Sequence, residues 1–369
     1  MKTTRSAHDL GQSLWLDNIS RELVSSGALA RYISDFSITG LTSNPTIFDH
    51  SIRETDFYDE AIRNRASSVN SAEALFLDLA LEDLTAAADL FYPIYEVTEG
   101  IDGWVSLEIS PLLVANAEAT VNEAVSIYAR AHRPNLFIKI PGNPAGIAAV
   151  EEAIFAGVPV NVTLIFSSEQ YVAAAEAYMR GIERRIAAGL DAKVESVASV
   201  FVSRWDVAAN DVTSQGLHNR LGIAVAKRIY RTYRDLLASP RWRKLANDGA
   251  HKQRLLWAST GTKDPAASDA LYVNALIAPD TINTMPEKTL LAFAEYGLPG
   301  NVLTADGGDS DVVLRTFASA GVDYTTLAAE LQKQGAAAFT QSWNDLMACI
   351  ANKSAHSKDS SLIKTARNR

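Results

Sequence analysis

The sequence predicts an α/β protein whose eight parallel strands close into a (β/α)8 TIM barrel, with additional C-terminal helices. Short apolar runs alternate with longer amphipathic runs along most of the 369 residues, and eight such units occur. Neither GxGxxG nor GxxxxGK[ST] appears. An open doubly wound sheet normally carries a glycine-rich motif of this kind after its first strand. A closed barrel is therefore favoured over an open sheet.

The predicted elements follow one another in strand–helix order. The strand candidates are 13–17, 37–44, 103–110, 136–142, 159–166, 197–203, 255–260 and 272–284. The helix candidates among them are 71–95, 111–132, 145–156, 168–188 and 219–237. Segments 287–296 and 324–352 are predicted as helices outside the barrel. We expect a single domain over 1–369, with extra helices around 286–352 and a flexible tail at 353–369.

Composition excludes several kinds of protein. The net charge of −9 provides no general electrostatic attraction for nucleic acid or for anionic membranes. The single cysteine, Cys349, cannot form an intrachain disulfide, which fits a reducing compartment. The N-terminus lacks the apolar run of a signal peptide, and no apolar stretch is long enough to span a membrane. We expect a cytoplasmic monomer or homodimer without nucleic-acid or membrane partners.

Several predicted strands carry polar side chains on one face, mostly near their C-terminal ends. Successive residues of a strand point to opposite faces, and one face of a barrel strand points inward. The C-terminal end of the strands is where barrel enzymes build their active sites. The residues concerned are Asp17, Asn44, Glu108, Asn161, Thr163 and Ser199.

The fourth predicted strand contains the residue that most clearly indicates a chemical reaction. In the run LFIKIP at 136–141, Lys139 is the one charged residue. Burial disfavours the ammonium form of a lysine and leaves a free amine, which attacks carbonyl groups to form a Schiff base. The alternative is a lysine that extends to solvent or pairs with a carboxylate. Glu108 and Asp17 on other strands favour chemistry, although they also qualify as plain salt-bridge partners.

At this point the sequence resembles the transaldolase family. The motifs that carry the resemblance are LWLDNISR at 14–21, GLTSNPTIF at 40–48, VSLE at 105–108, IKIP at 138–141, NVTLIFS at 161–167 and VFVSR at 200–204. They occur in the order of the family and cover roughly residues 10–290. The resemblance implies transfer of a dihydroxyacetone unit from sedoheptulose 7-phosphate to glyceraldehyde 3-phosphate. The products would be erythrose 4-phosphate and fructose 6-phosphate, in the non-oxidative pentose phosphate pathway.

The resemblance also implies catalytic roles. Lys139 would form the Schiff base with the ketose carbonyl. Glu108 and Thr163 would hold a water that moves protons, and Asp17 would exchange a proton with the C4 hydroxyl. The residues expected to hold the dihydroxyacetone hydroxyls are Asn44, Asn161 and Ser199.

Phosphate binding requires cations and N–H donors. Arg204 is implied by its motif, and Ser259 and Lys263 follow the seventh strand, where barrel phosphate sites often form. Other transaldolases place an arginine near the last position, so Lys263 is a departure from the family pattern. Phe201 is also expected at the reacting carbon. A tyrosine there resembles fructose 6-phosphate aldolases, whereas phenylalanine together with Glu108 favours transfer.

Two alternatives to transfer stay open. One is an aldolase that uses the same Schiff base but lets water protonate the enamine. The other is an inactive barrel that binds a sugar phosphate as a scaffold or regulator. No HxH or HExxH spacing occurs among the six histidines, which argues against a zinc-dependent aldolase. We therefore expect neither metal nor cofactor.

Overall fold

The computed structural model describes residues 3–65, 69–210, 212–298 and 301–367. Eight strands form a closed barrel in chain order, and each is parallel to its neighbours. Their bounds are β1 Gln12–Asp17, β2 Ile38–Thr42, β3 Trp104–Glu108, β4 Leu136–Pro141, β5 Val160–Ile165, β6 Ser196–Phe201, β7 Arg254–Ala258 and β8 Thr281–Met285. Helices lie between the strands and after the last one. The predicted (β/α)8 barrel with C-terminal helices is confirmed.

The helices outnumber those predicted. Their bounds are α1 Thr3–Asp9, α2 Arg21–Ser25, α3 Ala28–Phe36, α4 Pro45–Glu54, α5 Asp59–Arg65, α6 Ala72–Val97, α7 Ala117–Ala131, α8 Pro144–Phe155, α9 Ser168–Ala187, α10 Ser203–Asn210, α11 Leu221–Ala238, α12 Pro240–Asn247, α13 Leu271–Ala275, α14 Glu287–Tyr296, α15 Ser310–Ser319 and α16 Tyr324–Arg367. The predicted helix 111–132 is divided into a 3₁₀ turn, Pro111–Leu113, and α7. The Asn116 side chain accepts a hydrogen bond from the Ala119 N–H and so caps the start of α7.

The strand predicted at 272–284 is wrong in its first half. Residues Leu271–Ala275 form the short helix α13, and the strand begins only at Thr281. Pro279 cannot donate a backbone hydrogen bond to a strand neighbour, and Asp280 has a φ of 62° in the left-handed region. These two residues form a turn, so the apolar run is interrupted between the helix and β8.

Large side chains close the N-terminal half of the barrel interior. The rings of Trp104 and Phe137 stack with centroids 4.0 Å apart, and Trp15 lies 6.2 Å from Phe137. Beside them Trp15 Nε1 donates a 2.8 Å hydrogen bond to Asp102, and Arg254 Nη1 lies 3.8 Å from the same carboxylate. Among the described residues these side chains fill this end, and the cavity of the barrel opens at the C-terminal ends of the strands.

The C-terminal helix α16 continues past the predicted end at 352 as far as Arg367. It packs along α4, α5 and α6 on one side of the barrel. At Lys353, where we expected a flexible tail to begin, the side chain donates hydrogen bonds to the Thr55 carbonyl and to Asp59, at 2.9 and 2.6 Å. The single-domain organisation remains a prediction.

Candidate active site

A cavity of about 310 Å³ opens at the C-terminal mouth of the barrel. Most of the residues predicted from the sequence line it: Asp17, Asn44, Lys139, Ser199, Phe201, Arg204, Ser259 and Lys263. Glu108, Asn161 and Thr163 are buried, and the first two hydrogen-bond to the lining residues Lys139 and Ser199. Chain segments that are far apart in the sequence thus meet at one site, at the end of the barrel that the strand pattern indicated.

Lys139 lies near the middle of this site and does not extend to solvent. Its residue exposure is 5%, which excludes the extended, water-facing alternative. Nζ lies 3.2 Å from Glu108 Oε2 and donates a 3.2 Å hydrogen bond to the carbonyl of Ser43. The contact between Lys139 and Glu108 follows from strand register, because Glu108 on β3 is paired directly with Lys139 on β4. The lysine–carboxylate pair is therefore buried at the edge of the cavity.

The second carboxylate oxygen of Glu108, Oε1, does not share the contact that Oε2 makes with Lys139. Oε1 is buried without a hydrogen-bond partner among the described residues, and the same is true of Thr163 Oγ1 on β5. Buried polar atoms are normally hydrogen-bonded, so two such atoms in one site favour a bound polar ligand or water. Burial raises the pKa of Glu108, while the nearby Lys139 charge acts against the rise. The carboxyl group can thus take up a proton closer to neutrality than an ordinary glutamate.

Asp17 lies at the end of β1 and reaches the cavity from the opposite side. The Thr42 hydroxyl is 2.7 Å from Asp17 Oδ1 and also 2.7 Å from the Thr284 hydroxyl. These contacts fix the carboxyl group on the barrel wall. Burial raises the pKa of Asp17, with Lys139, Thr42 and Lys263 acting in the other direction. Two carboxyl groups with raised pKa values therefore flank one amine.

A chain of hydrogen bonds links β3, β5 and β6. Asn161 Nδ2 donates to Ser106 Oγ at 3.2 Å, and the Ser199 hydroxyl donates to Asn161 Oδ1 at 2.6 Å. Asn161 is fully buried, whereas Ser199 lines the cavity. Asn44 also lines the cavity, and its side-chain oxygen caps α4 by accepting from the Ile47 N–H. The amide groups are therefore held in place by the protein before any ligand binds.

Cations lie on the side of the cavity formed by β6 and β7. Arg204 at the start of α10 is half-buried, and its guanidinium carbon lies 5.0 Å from the centroid of the Phe201 ring. Burial lowers the pKa of Arg204, and the negative charge of Glu108 opposes this effect. Lys263 is exposed on the loop after β7. Neither cation forms a salt bridge with a carboxylate among the described residues, so both remain available to an anionic ligand.

Ser259 lies between these cations at the end of β7. Its φ of 54° places it in the left-handed region, which is uncommon for residues with a Cβ atom and is often found at functional sites. Its hydroxyl is 2.9 Å from that of Ser203, and its carbonyl accepts from the Ser203 N–H at 3.0 Å. Hydrogen bonds to the first residue of α10 therefore hold this backbone conformation.

Sequence reasoning missed several lining residues: Thr46, Ile47, Gly261, Thr284, Pro286 and Phe339. Thr284 is the last residue of the predicted strand 272–284 and the second-last residue of β8, so the end-of-strand signal applies to it as well. Phe339 belongs to α16, and nothing in its local sequence indicates that it reaches the barrel mouth.

The described residues contain no cluster of three or more His, Cys, Asp or Glu side chains that could hold a metal ion. Among them, too, no helix has the length and apolar character needed to cross a bilayer.

Fold and cavity together define the class: a (β/α)8-barrel enzyme with a buried lysine between two carboxyl groups at its mouth. The sequence profile of the Transaldolase/Fructose-6-phosphate aldolase family matches residues 14–350. The chain belongs to this family. The match extends beyond the 10–290 span of the sequence motifs and includes much of α16.

Relatives named transaldolase match almost end to end. The protein of Frankia alni is 42% identical over 353 residues, which cover 93% of this chain and 95% of the relative. That of Mycobacterium tuberculosis is 40% identical, with 91% and 93% covered. That of Thiobacillus denitrificans is 39% identical, with 95% and 100% covered.

Proposed function

We propose that this protein is a transaldolase that moves a dihydroxyacetone unit from sedoheptulose 7-phosphate to glyceraldehyde 3-phosphate through a Schiff base on Lys139. The observation that carries the proposal is the buried amine of Lys139, which lines the cavity and lies 3.2 Å from Glu108. The relatives named transaldolase support the same activity. The products are erythrose 4-phosphate and fructose 6-phosphate, which places the reaction in the non-oxidative pentose phosphate pathway.

The proposed chemistry begins with attack of Lys139 Nζ on the ketose C2 carbonyl. Loss of water leaves an iminium, which accepts the electron pair of the C3–C4 bond as that bond breaks. Asp17 takes the proton of the C4 hydroxyl, so the first aldehyde leaves and an enamine stays on the enzyme. The enamine carbon then attacks the second aldehyde, and Asp17 returns the proton to the new hydroxyl. Water adds to the iminium that this step regenerates, fructose 6-phosphate leaves, and Lys139 regains its amine.

Proton movement at the nitrogen is proposed to run through a water held by Glu108 and Thr163. Glu108 Oε1 and Thr163 Oγ1 are buried atoms with unused hydrogen-bonding capacity among the described residues. A water bound to both would supply and remove protons as carbinolamine and iminium interconvert. Ser199, Asn161 and Asn44 are proposed to hold the hydroxyls of the enamine, and Phe201 packs beside the reacting carbon.

Arg204, Ser259 and Lys263 are proposed to bind the phosphate. The variant Arg204→Gln should raise KM for sedoheptulose 7-phosphate roughly 10–100-fold, since a hydrogen bond to a charged group contributes about 1.5–3 kcal/mol. Steady-state kinetics measure this effect. KM for unphosphorylated sedoheptulose should hardly change, and Arg234→Gln, on the outer helix α11, serves as the matched control. An equal rise in KM for both sugars would contradict phosphate binding.

A coupled assay tests the function directly. Sedoheptulose 7-phosphate and glyceraldehyde 3-phosphate are mixed with the enzyme in the presence of EDTA, and erythrose 4-phosphate is measured. Formation of this product supports metal-free transfer. Release of dihydroxyacetone without transfer would instead identify an aldolase, and binding without turnover an inactive barrel. The single cysteine fits a reducing compartment, and we propose a cytoplasmic enzyme that acts as a monomer or homodimer.

A further inference from the structure

Hydrogen bonds hold the N-terminal part of α16 across the barrel mouth. Gln332 Nε2 donates hydrogen bonds to the carbonyls of Gly142 and Leu164, at 3.1 and 3.0 Å. These carbonyls follow Lys139 and Thr163 on β4 and β5. Leu164 has a φ of 59°, an unfavourable conformation for a residue with a Cβ atom. The helix thus bonds to one carbonyl just after β4 and to one near the end of β5.

The helix also approaches the barrel closely at Gly335. A Cβ atom built there would lie 2.8 Å from Leu164 Cδ2 and 3.0 Å from Arg204 Nη1. Only a residue without a side chain fits this contact without displacing one of these groups. The next turn of α16 is therefore brought directly over the cavity.

Phe339 occupies that next turn and contacts the reactive amine. Its ring centroid lies 5.5 Å from Lys139 Nζ and 6.5 Å from the centroid of Phe201, with the two rings at 62°. Phe339 lines the cavity and is 7% exposed. Trp343, one turn later, packs instead against Phe76 in the interface between helices. Of these two aromatic residues of α16, Phe339 is therefore the one that faces the Lys139 amine.

We propose that Phe339 is a specificity-determining residue that keeps bulk water from the enamine and so directs it to the acceptor aldehyde. This inference rests on the proposed transaldolase function. Phe339 and Phe201 form an apolar cover, which we call the aromatic cover, above Lys139. Apolar side chains that shield a reactive intermediate reduce its side reactions with water.

The two competing fates of the enamine show what the aromatic cover controls. In transfer, the enamine carbon forms a carbon–carbon bond to the aldehyde carbon, and the aldehyde oxygen takes a proton. In the side reaction the same carbon takes a proton from water. One water then adds to the resulting iminium, dihydroxyacetone leaves, and Lys139 regains its amine. Transfer also ends with water, which hydrolyses the new iminium and releases fructose 6-phosphate, so both routes balance without an oxidant or a reductant. They differ at the enamine carbon, where a proton from water competes with the acceptor aldehyde.

The test is the partition ratio of Phe339→Ala, measured as dihydroxyacetone released per fructose 6-phosphate formed at a fixed acceptor concentration. We expect the ratio to rise roughly tenfold, which corresponds to about 1.4 kcal/mol between two competing barriers. The matched control is Leu346→Ala, which removes a fully buried side chain of the same helix that does not line the cavity. Its ratio should equal that of the wild type even if its Tm falls.

Phe339→Leu provides a second measurement that does not depend on the folding of the alanine variant. Leucine fills most of the volume but leaves part of the amine uncovered, so the ratio should rise less than in Phe339→Ala. An unchanged ratio in Phe339→Leu and in every folded Phe339→Ala preparation overturns the role of Phe339 while leaving transfer intact. A wild-type enzyme that forms no fructose 6-phosphate would instead overturn the proposed function, and this inference with it.

Discussion

Lys139→Met should abolish both transfer activity and the covalent adduct that borohydride traps with sedoheptulose 7-phosphate. Methionine has nearly the length of lysine but has no amine, so the ketose cannot become an iminium and the C3–C4 bond has no electron sink. We expect kcat/KM to fall roughly 10⁴-fold or more, since loss of a covalent nucleophile in a serine protease costs on the order of 10⁶-fold in rate. Coupled kinetics and mass spectrometry of the reduced complex measure the two losses.

The control for this variant is Lys244→Met, which replaces an exposed lysine paired with Asp248 on the outside of the barrel. It should keep activity and the adduct on Lys139. Removal of Lys139 also leaves Glu108 buried without its cation, so circular dichroism and Tm must establish that the variant is folded. Full transfer activity in folded Lys139→Met, or a trapped adduct on another lysine, would contradict the Schiff-base assignment.

Glu108→Gln should slow turnover far more than it weakens substrate binding. Glutamine keeps the size of the side chain and can still accept a hydrogen bond from Lys139, but it cannot exchange protons. General acid–base groups contribute about 10²–10⁴-fold to rates, and we expect kcat to fall within this range while Kd changes little. Pre-steady-state formation of the borohydride-trappable complex should slow in parallel, because carbinolamine and iminium interconvert through proton transfer.

The dependence of kcat on pH provides a second test of the role of Glu108. Burial raises the pKa of Glu108, so in the wild type the carboxylate loses its charge at a higher pH than an ordinary glutamate. If the charged form receives the proton, kcat falls as pH decreases through that raised pKa, and the glutamine variant lacks this acidic limb. Glu152→Gln on the outer face of the barrel is the matched control. Equal losses in kcat and affinity, with an unchanged profile, would point to a structural role for Glu108.

The alternation of polar and apolar residues carried most of the information on the site. The period of two assigns Glu108 and Asn161 to the polar faces of their strands, and Lys139 is identified as the one charge in an apolar run. Strand register brings the three side by side. Polar residues near the strand ends locate the site because barrel closure brings the C-terminal ends of all strands to one mouth. The eighth strand was harder because a short apolar helix, α13, runs directly into the turn before it. An apolar run of this length does not distinguish helix from strand.

The sequence by itself determined the fold class, the lysine and its two carboxyl groups, because these depend on local periodicity and on motifs read along the chain. Only the tertiary structure decided that α16 lies across the barrel and brings Phe339 to within 5.5 Å of Lys139. Helical periodicity shows that a side chain is buried but not against which surface. That surface is chosen by long-range packing, here by the contacts of Gln332 and Gly335 with the ends of the central strands.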